Sequence, residues 1–290
     1  MRPNQWVKNL FVLAPLVFSQ NLLDPQMLGR AFLGTFLFCM ISGVVYLMND
    51  IFDVEKDRAH PTKRFRPIPS GKLPVKAATA AAVVIGLGTL ALSLVLDWRF
   101  GAVTAIYFAN NVLYSWKLKH VVFVDVLTIA LGFLLRTLAG AFVIDVIFSE
   151  WLFGCTFLLA LYLALGKRKH EILQAGLGKG KQRRVLERYR LDHINYAILC
   201  VAGLTIAAYT AYTLSVSLPG QPLHATRAPF ESPWIPFTIP FAVIGVFRFY
   251  MLISRAELAD SPTERMIKDI PFIANLALWG ISILAMIYFL

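Results

Sequence analysis

Three aspartates and an asparagine crowd into NDIFDVEKDRAHPTKRFRPIPSG, residues 49–71, directly after the apolar run GTFLFCMISGVVYLM. If that apolar helix continues through Asp57, then Asn49, Asp53 and Asp57 recur every four residues. Each step drifts only about 40° around a helix, so all three share one face over two turns, with Asp50 one residue off the stripe. Stacked carboxylates repel one another, and the arrangement asks for a cation. Oxygen-only ligands suit Mg²⁺, which keeps several waters and is commonly held by one or two carboxylates together with a substrate's phosphates. The cluster predicts a Mg²⁺–diphosphate site, with Asn49, Asp50, Asp53 and Asp57 as metal ligands. The competing reading is a solvated helix end whose acids are neutralised by Lys56, Arg58 and Lys63.

Just downstream, Lys63, Arg64 and Arg66 sit in a segment broken by Pro61, Pro67, Pro69 and Gly71. Proline and glycine forbid a regular helix there and fix a shaped loop. Arginine can hold a phosphate through two parallel hydrogen bonds, whereas lysine acts as a point charge. The general bias of cations toward the cytoplasmic side of a membrane would also place such residues here.

The elements that must position these groups are membrane helices. Of 290 residues, 58% are hydrophobic and 16% charged, and the mean hydropathy is +0.64, which does not describe a water-soluble globule. Nine apolar stretches lie near 7–23, 28–49, 75–96, 99–115, 121–144, 151–166, 192–215, 234–253 and 271–289. Most match the ~20 residues a helix needs to cross ~30 Å of hydrocarbon, the first and fourth being somewhat short. The continuous apolar runs exclude a strand-alternating barrel. The expected fold is therefore all-α, a polytopic bundle of nine transmembrane helices. With no small-residue cleavage site after the first stretch, the chain is expected to insert whole.

Most of the 28 Lys and Arg flank spans on one side, including the N-terminal end, while the other side holds Arg30, Arg99 and Arg227 and the fifth span holds Arg136. Positive residues mark the cytoplasmic side, so the N-terminus is expected there and Leu290 opposite. The net charge of +11 is then mostly this topological signal. Nucleic acid is excluded as a partner, because no soluble segment is large enough to fold.

Cys39, Cys155 and Cys200 are far apart, without metal-ligand spacing, and read as packing residues. GLGKGK at 176–181 lacks the P-loop spacing and hydroxyl residue and reads as a cytoplasmic turn. Neither an internal repeat nor a low-complexity tract appears, so residues 1–290 are expected to form a single domain. Tyr107, Asn111 and Tyr114 fall near one helical face, and Asp125 and Arg136, eleven residues apart, nearly share another. Ionisable groups at such depth are expensive and face a cavity or one another.

With Asn49, Asp53, Asp57 and the downstream RPIPSG in view, the chain resembles the UbiA-type intramembrane prenyltransferase superfamily over essentially its whole length. The resemblance implies helices around a central cavity open to the cytoplasm, with Mg²⁺ holding a diphosphate at the mouth. It also implies a second acidic motif after the fourth helix. The candidate, residues 110–136, supplies Asp125 but has Ile129 four residues on.

The pieces RPNQWVKN at 2–9, NDIFDVEKDRAHPTKRFRPI at 49–68, YSWKLK at 114–119, VDV at 124–126 and ALGKRKHE at 164–171 resemble the branch of decaprenyl-phosphate phosphoribosyltransferases. In that branch the diphosphate belongs to phosphoribosyl pyrophosphate, and a polyprenyl phosphate is the acceptor. The implied chemistry is transfer at the anomeric carbon of ribose, with Asp50, Asp53 and Asp57 as the catalytic carboxylates. Lys63, Arg64, Arg66, Lys167, Arg168 and Lys169 are then candidates for the donor's phosphates. Lys117 or Lys119 would orient the lipid phosphate, and Lys8, Tyr114, Asp125 and Arg136 complete the substrate-binding set. The rival readings are an aromatic or quinone-precursor prenyltransferase, which would carry a full second acidic pair, and a transporter, which would place its ionisable groups near mid-membrane. The sequence leaves a homo-oligomeric assembly open.

Overall fold

A computed structural model of the chain describes residues 3–59, 61, 63–147, 150–176, 186, 189–217, 232–254 and 262–290. The GLGKGK stretch beyond Gly176, and Arg227, lie outside these residues. Every regular element among the described residues is helical. A 3₁₀ segment, Pro3–Leu13, runs into α1 (Ala14–Phe18). It is followed by α2 (Pro25–Phe52), α3 (Val54–Arg58), α4 (Val75–Leu96), α5 (Trp98–Trp116), α6 (Val124–Val143), α7 (Glu150–Gly176), α8 (Leu191–Ser217), α9 (Ile239–Ser254), α10 (Pro262–Lys268) and α11 (Ile270–Tyr288).

Each of the nine expected apolar stretches is largely helical. Seven are long and apolar enough to cross a membrane: Pro25–Phe52, Val75–Leu96, Val124–Val143, Glu150–Ala175, Leu191–Ser217, Ile235–Ser254 and Ile270–Tyr288. The other two are the stretches expected to be short. Gln5–Phe18 is a shorter apolar helix, and α5 is diluted by Arg99, Asn110 and Asn111. Helix starts follow local chemistry. Asp24 accepts from the N–H groups of Gln26 (2.8 Å) and Met27 (3.1 Å) ahead of α2, whose first residue is Pro25. Asp97 likewise accepts from the N–H groups of Arg99 (2.8 Å) and Phe100 (3.0 Å) at the start of α5.

The chain packs as two compact units. Residues 1–16, 23–116 and 135–146 form the first; residues 17–22, 117–134 and 147–290 form the second. In the first, α2 packs on α4, α5 and the N-terminal 3₁₀ segment. The buried face of α4 is Ala78, Ala82, Gly86, Thr89 and Ser93, small residues that let helix backbones approach where lipid supplies no hydrophobic drive. Its other faces are bare apolar surface, Val84 being 71% and Val95 85% exposed. The rings of Phe38, Phe100 and Tyr107 form a buried cluster.

Gly140 on α6 is the tightest point of this unit, because a Cβ there would lie 2.0 Å from the backbone oxygen of Val12. The N-terminal segment can cross α6 only over a residue without a side chain. Gly140→Ala is therefore expected to push the two apart and cost about 1–3 kcal/mol or more of stability, the usual scale of core overpacking. Thermal unfolding in detergent checks this, and an unchanged midpoint would refute the close crossing.

The second unit is built on α7 against α8, with α9 packed on both and α11 on α9. Its core holds Tyr162, Ile194, Ile198, Phe249 and Ile253. Phe249 lies against Gly166, where a Cβ would come within 2.6 Å of its ring. A smaller cluster, Tyr212, Val216, Ile235, Ile283 and Ile287, closes the far end of the same unit.

Candidate functional site

The helix carrying the first acidic motif does not run unbroken to Asp57. α2 ends at Phe52, Asp53 caps it with φ −97° and ψ 12°, and α3 resumes at Val54. The hydrogen bonds Asp53 N–H to Asn49 O (3.0 Å) and Asp57 N–H to Asp53 O (2.8 Å) nonetheless keep the helical register across the bend. That register brings Asp50 and Asp57 together, seven residues apart and only about 20° short of two full turns.

Arg66 joins this pair. One of its terminal nitrogens, Nη1, lies 3.1 Å from Asp50 Oδ1 and 2.6 Å from Asp57 Oδ2. Lys63 Nζ stands 3.8 Å from the other oxygen of Asp57, a carboxylate that is 4% exposed. Asp53 is more open, its 39%-exposed side chain 3.5 Å from Lys56. The solvated end that the competing reading expects is thus confined to Asp53–Lys56 and Glu55–Arg58.

The proline-rich loop delivers Arg66 by a fixed turn. Gly71 N–H donates to Ile68 O at 3.0 Å, and Leu73 N–H to Pro67 O at 2.9 Å. Gly71 has φ +80°, which favours glycine there, and buried Ile68 anchors the loop. Arg64 stacks on the exposed Phe65 ring, its guanidinium 4.8 Å from the ring centroid.

Among the described residues no three His, Cys, Asp or Glu side chains converge as a preformed metal cage. The donor set still fits Mg²⁺. Two carboxylate oxygens already face one cationic nitrogen, and a Mg²⁺ ion commonly takes one or two protein carboxylates and draws its remaining ligands from water and substrate phosphates.

Elsewhere in the first unit, Arg136 is 6% exposed and held by side chains. Its Nε donates to Asn9 Oδ1 at 2.9 Å and its Nη2 to the Tyr107 hydroxyl at 2.7 Å, with the guanidinium 4.7 Å from the Tyr107 ring. Asn9 Nδ2 in turn donates to Ser42 Oγ at 3.0 Å, and Asn111 Nδ2 to the backbone oxygen of Tyr107 at 2.8 Å. The Tyr107–Asn111 face is therefore a polar seam, as its spacing suggests. Asn9 was not singled out from the sequence; an amide inside an otherwise apolar stretch was the available signal. Lys8 and Tyr114 are half-buried in the same unit.

In the second unit, the three cations at the end of α7 separate into three environments. Lys167 is exposed. Arg168 is 0% exposed, its Nε 2.5 Å from Asp125 Oδ2, and it also pairs with Glu171. Lys169 lies 3.3 Å from Ser254 Oγ and 4.9 Å from the Tyr250 ring centroid, on the last turn of α9, where a cation favours the helix's C-terminal carbonyls. Asp125, also 0% exposed, accepts a 2.5 Å hydrogen bond from the Tyr189 hydroxyl. Burial pushes the Tyr189 phenol well above its ordinary range, and the bond to Asp125 pushes it further. Tyr189 and Glu171 were invisible to spacing arguments, since neither belongs to a periodic pattern. Lys117 is exposed and precedes the 3₁₀ turn Leu118–His120, and Lys119, within that turn, is half-buried. Asp125 and Arg136 belong to different units.

Residues 10–276 match the model of the UbiA prenyltransferase family. The chain belongs to that family. A UbiA family member is a transferase, and with seven candidate spans this one is a multi-pass membrane protein. The chain is 32% identical to the decaprenyl-phosphate phosphoribosyltransferase of Mycolicibacterium smegmatis, covering 100% of this chain and 91% of the other. It is 31% identical to the enzyme of the same name from Corynebacterium glutamicum, over 93% and 80% of the two chains. In three dimensions it is similar to a UbiA homolog from Archaeoglobus fulgidus bound to DMAPP and Mg²⁺, with a TM-score of 0.71, 18% identity, and coverage of 100% and 98%. That likeness establishes the UbiA fold.

Proposed function

We propose that the protein transfers the 5-phosphoribosyl group of phosphoribosyl pyrophosphate to a polyprenyl phosphate such as decaprenyl phosphate, releasing pyrophosphate. Its full-length similarity to decaprenyl-phosphate phosphoribosyltransferases supports the reading. One structural observation carries it over the rival aromatic prenyltransferase. Asp125, the acid of the candidate second motif, is spent on Arg168 and Tyr189, and Ile129 stands where its partner would be. Among the described residues the acidic cluster left for a metal-bound diphosphate is the one at 49–57, and the further 5-phosphate of a ribosyl donor calls for cations in place of a second acidic pair.

Asn49, Asp50, Asp53 and Asp57 are the proposed Mg²⁺ ligands. When bound there, the ion supplies charge neutralisation to the departing diphosphate. Arg66 and Lys63 sit beside those carboxylates to meet diphosphate oxygens, and Arg64, Lys167 and Lys169 are left for the donor's remaining phosphate. In the reaction the bond from the anomeric carbon to pyrophosphate breaks, and pyrophosphate leaves with the electron pair. A bond forms from that carbon to a lipid phosphate oxygen. That oxygen is already anionic, so positioning by Lys117 or Lys119 matters more than proton removal. Lys8, Tyr114 and Arg136 complete the proposed substrate contacts. Residues 1–290 act in this proposal as one transferase domain of nine spans in the cytoplasmic membrane, its cavity open to the cytoplasm. The N-terminus is cytoplasmic and Leu290 on the opposite side.

Incubation with Mg²⁺, polyprenyl phosphate and labelled phosphoribosyl pyrophosphate is expected to place label in a lipid-extractable phosphoribosyl product. Pyrophosphate release from a polyprenyl diphosphate plus an aromatic acid, with the ribosyl donor ignored, would instead establish the rival enzyme.

A further inference from the structure

Phe123, just ahead of α6, has φ +64°. A bulky aromatic residue adopts this left-handed conformation only where its surroundings hold it. Here the holding group is Tyr189. Its hydroxyl accepts the Phe123 N–H at 2.7 Å, and the two rings meet edge to face with centroids 5.4 Å apart and planes at 70°. The same hydroxyl donates to Asp125 Oδ1 at 2.5 Å, while Arg168 fixes the other oxygen of Asp125 at 2.5 Å. Tyr189 is 6% exposed, and Asp125 and Arg168 are 0% exposed. A phenol serves both bonds because it can accept and donate at once, and burial keeps it protonated.

The chain leading into this left-handed turn carries Lys117, which precedes the single 3₁₀ turn Leu118–His120, and Lys119, which lies within it. That turn is closed by His120 N–H to Lys117 O and Val121 N–H to Leu118 O, both at 3.1 Å. The backbone direction at Phe123 therefore sets where the two lysines stand relative to α6.

We propose that Tyr189 is a positioning residue for the lipid acceptor: by holding Phe123 in its left-handed turn, the hydroxyl fixes the segment that presents Lys117 and Lys119 to a lipid phosphate. The proposal rests on the assignment of that phosphate to these lysines. It also gives the buried Asp125–Arg168 pair a purpose, as the fixed support against which the phenol is oriented.

Three proteins test it: wild type, Tyr189→Phe and the double variant Tyr189→Phe/Phe123→Gly. Tyr189→Phe keeps the ring and removes both hydrogen bonds. It is expected to raise KM for polyprenyl phosphate about tenfold, the scale of one hydrogen bond to an oriented group, while KM for phosphoribosyl pyrophosphate stays within about twofold of wild type. Glycine adopts φ +64° without strain, so the double variant should recover acceptor KM to within about threefold of wild type. An equal rise in both KM values, or a double variant worse than the single, would overturn the proposal. A second measurement is independent of turnover. Trypsin cleavage after Lys117 and Lys119 of the detergent-solubilised protein should be about fivefold faster in Tyr189→Phe, because local opening admits the protease. Unchanged cleavage overturns the proposal. If the wild type transfers no phosphoribosyl group, the functional assignment fails, and the cleavage rates still decide whether Tyr189 holds the turn.

Discussion

Asp57→Asn is expected to lower phosphoribosyl transfer by about a hundredfold to a thousandfold, the scale seen when one group stabilising transition-state charge is removed, while the helical fold persists. Asp57 is the carboxylate on which the loop and the helix end converge, with Arg66 at 2.6 Å and Lys63 at 3.8 Å. The amide keeps the shape but removes the charge that a divalent cation needs. Asp53→Asn should cost less, because Asp53 is 39% exposed and faces Lys56. A binding measurement separates metal loss from misfolding. Mg²⁺ with phosphoribosyl pyrophosphate should raise the thermal midpoint of the wild type, since a ligand stabilises the state that binds it, and should leave that of Asp57→Asn unmoved. Wild-type turnover in Asp57→Asn, with an undiminished thermal response, would remove Asp57 from the site.

The second large effect is on stability. Arg168→Ala should destabilise the protein by about 3–5 kcal/mol, the typical penalty for removing one partner of a buried ion pair, because Asp125 is 0% exposed and loses the guanidinium that stands 2.5 Å from its Oδ2. Lys167→Ala, on the adjacent but exposed position, should stay within about 0.5 kcal/mol of wild type. Replacing both partners, as Arg168→Met with Asp125→Leu, should recover part of the loss, since no charge is then left buried. Detergent unfolding of the four proteins measures all of this. Should Arg168→Ala keep wild-type stability and change only donor KM, Arg168 would be a substrate contact, as the run Lys167–Lys169 alone suggests.

These two residues mark where reading along the chain reaches and where it stops. The acids of 49–57 were legible because helical periodicity is local. Register survives the bend at Asp53 through the bonds from Asp53 N–H to Asn49 O and from Asp57 N–H to Asp53 O. The partner choice within them was not legible. Four-residue spacing favours Asn49, Asp53 and Asp57, whereas the guanidinium of Arg66, arriving from a loop nine residues on, selects Asp50 and Asp57. Loop trajectory depends on turns such as the one at Gly71 and on the burial of Ile68, which no period announces. The shortness of the first and fourth stretches was visible in composition, and those are the two outside the seven long apolar helices.

What the sequence by itself determined is the all-helical membrane architecture, the family, and the acidic and basic residue types at the end of α2. Hydropathy, helical period and motif all act within a few turns of one chain segment. Only the tertiary structure decided which of Lys167, Arg168 and Lys169 is exposed. It alone paired Asp125 with Arg168 and Tyr189, and Arg136 with Asn9 across 127 positions. A buried charge must find its counterpart wherever packing brings one, and that distance in space leaves no trace in distance along the chain.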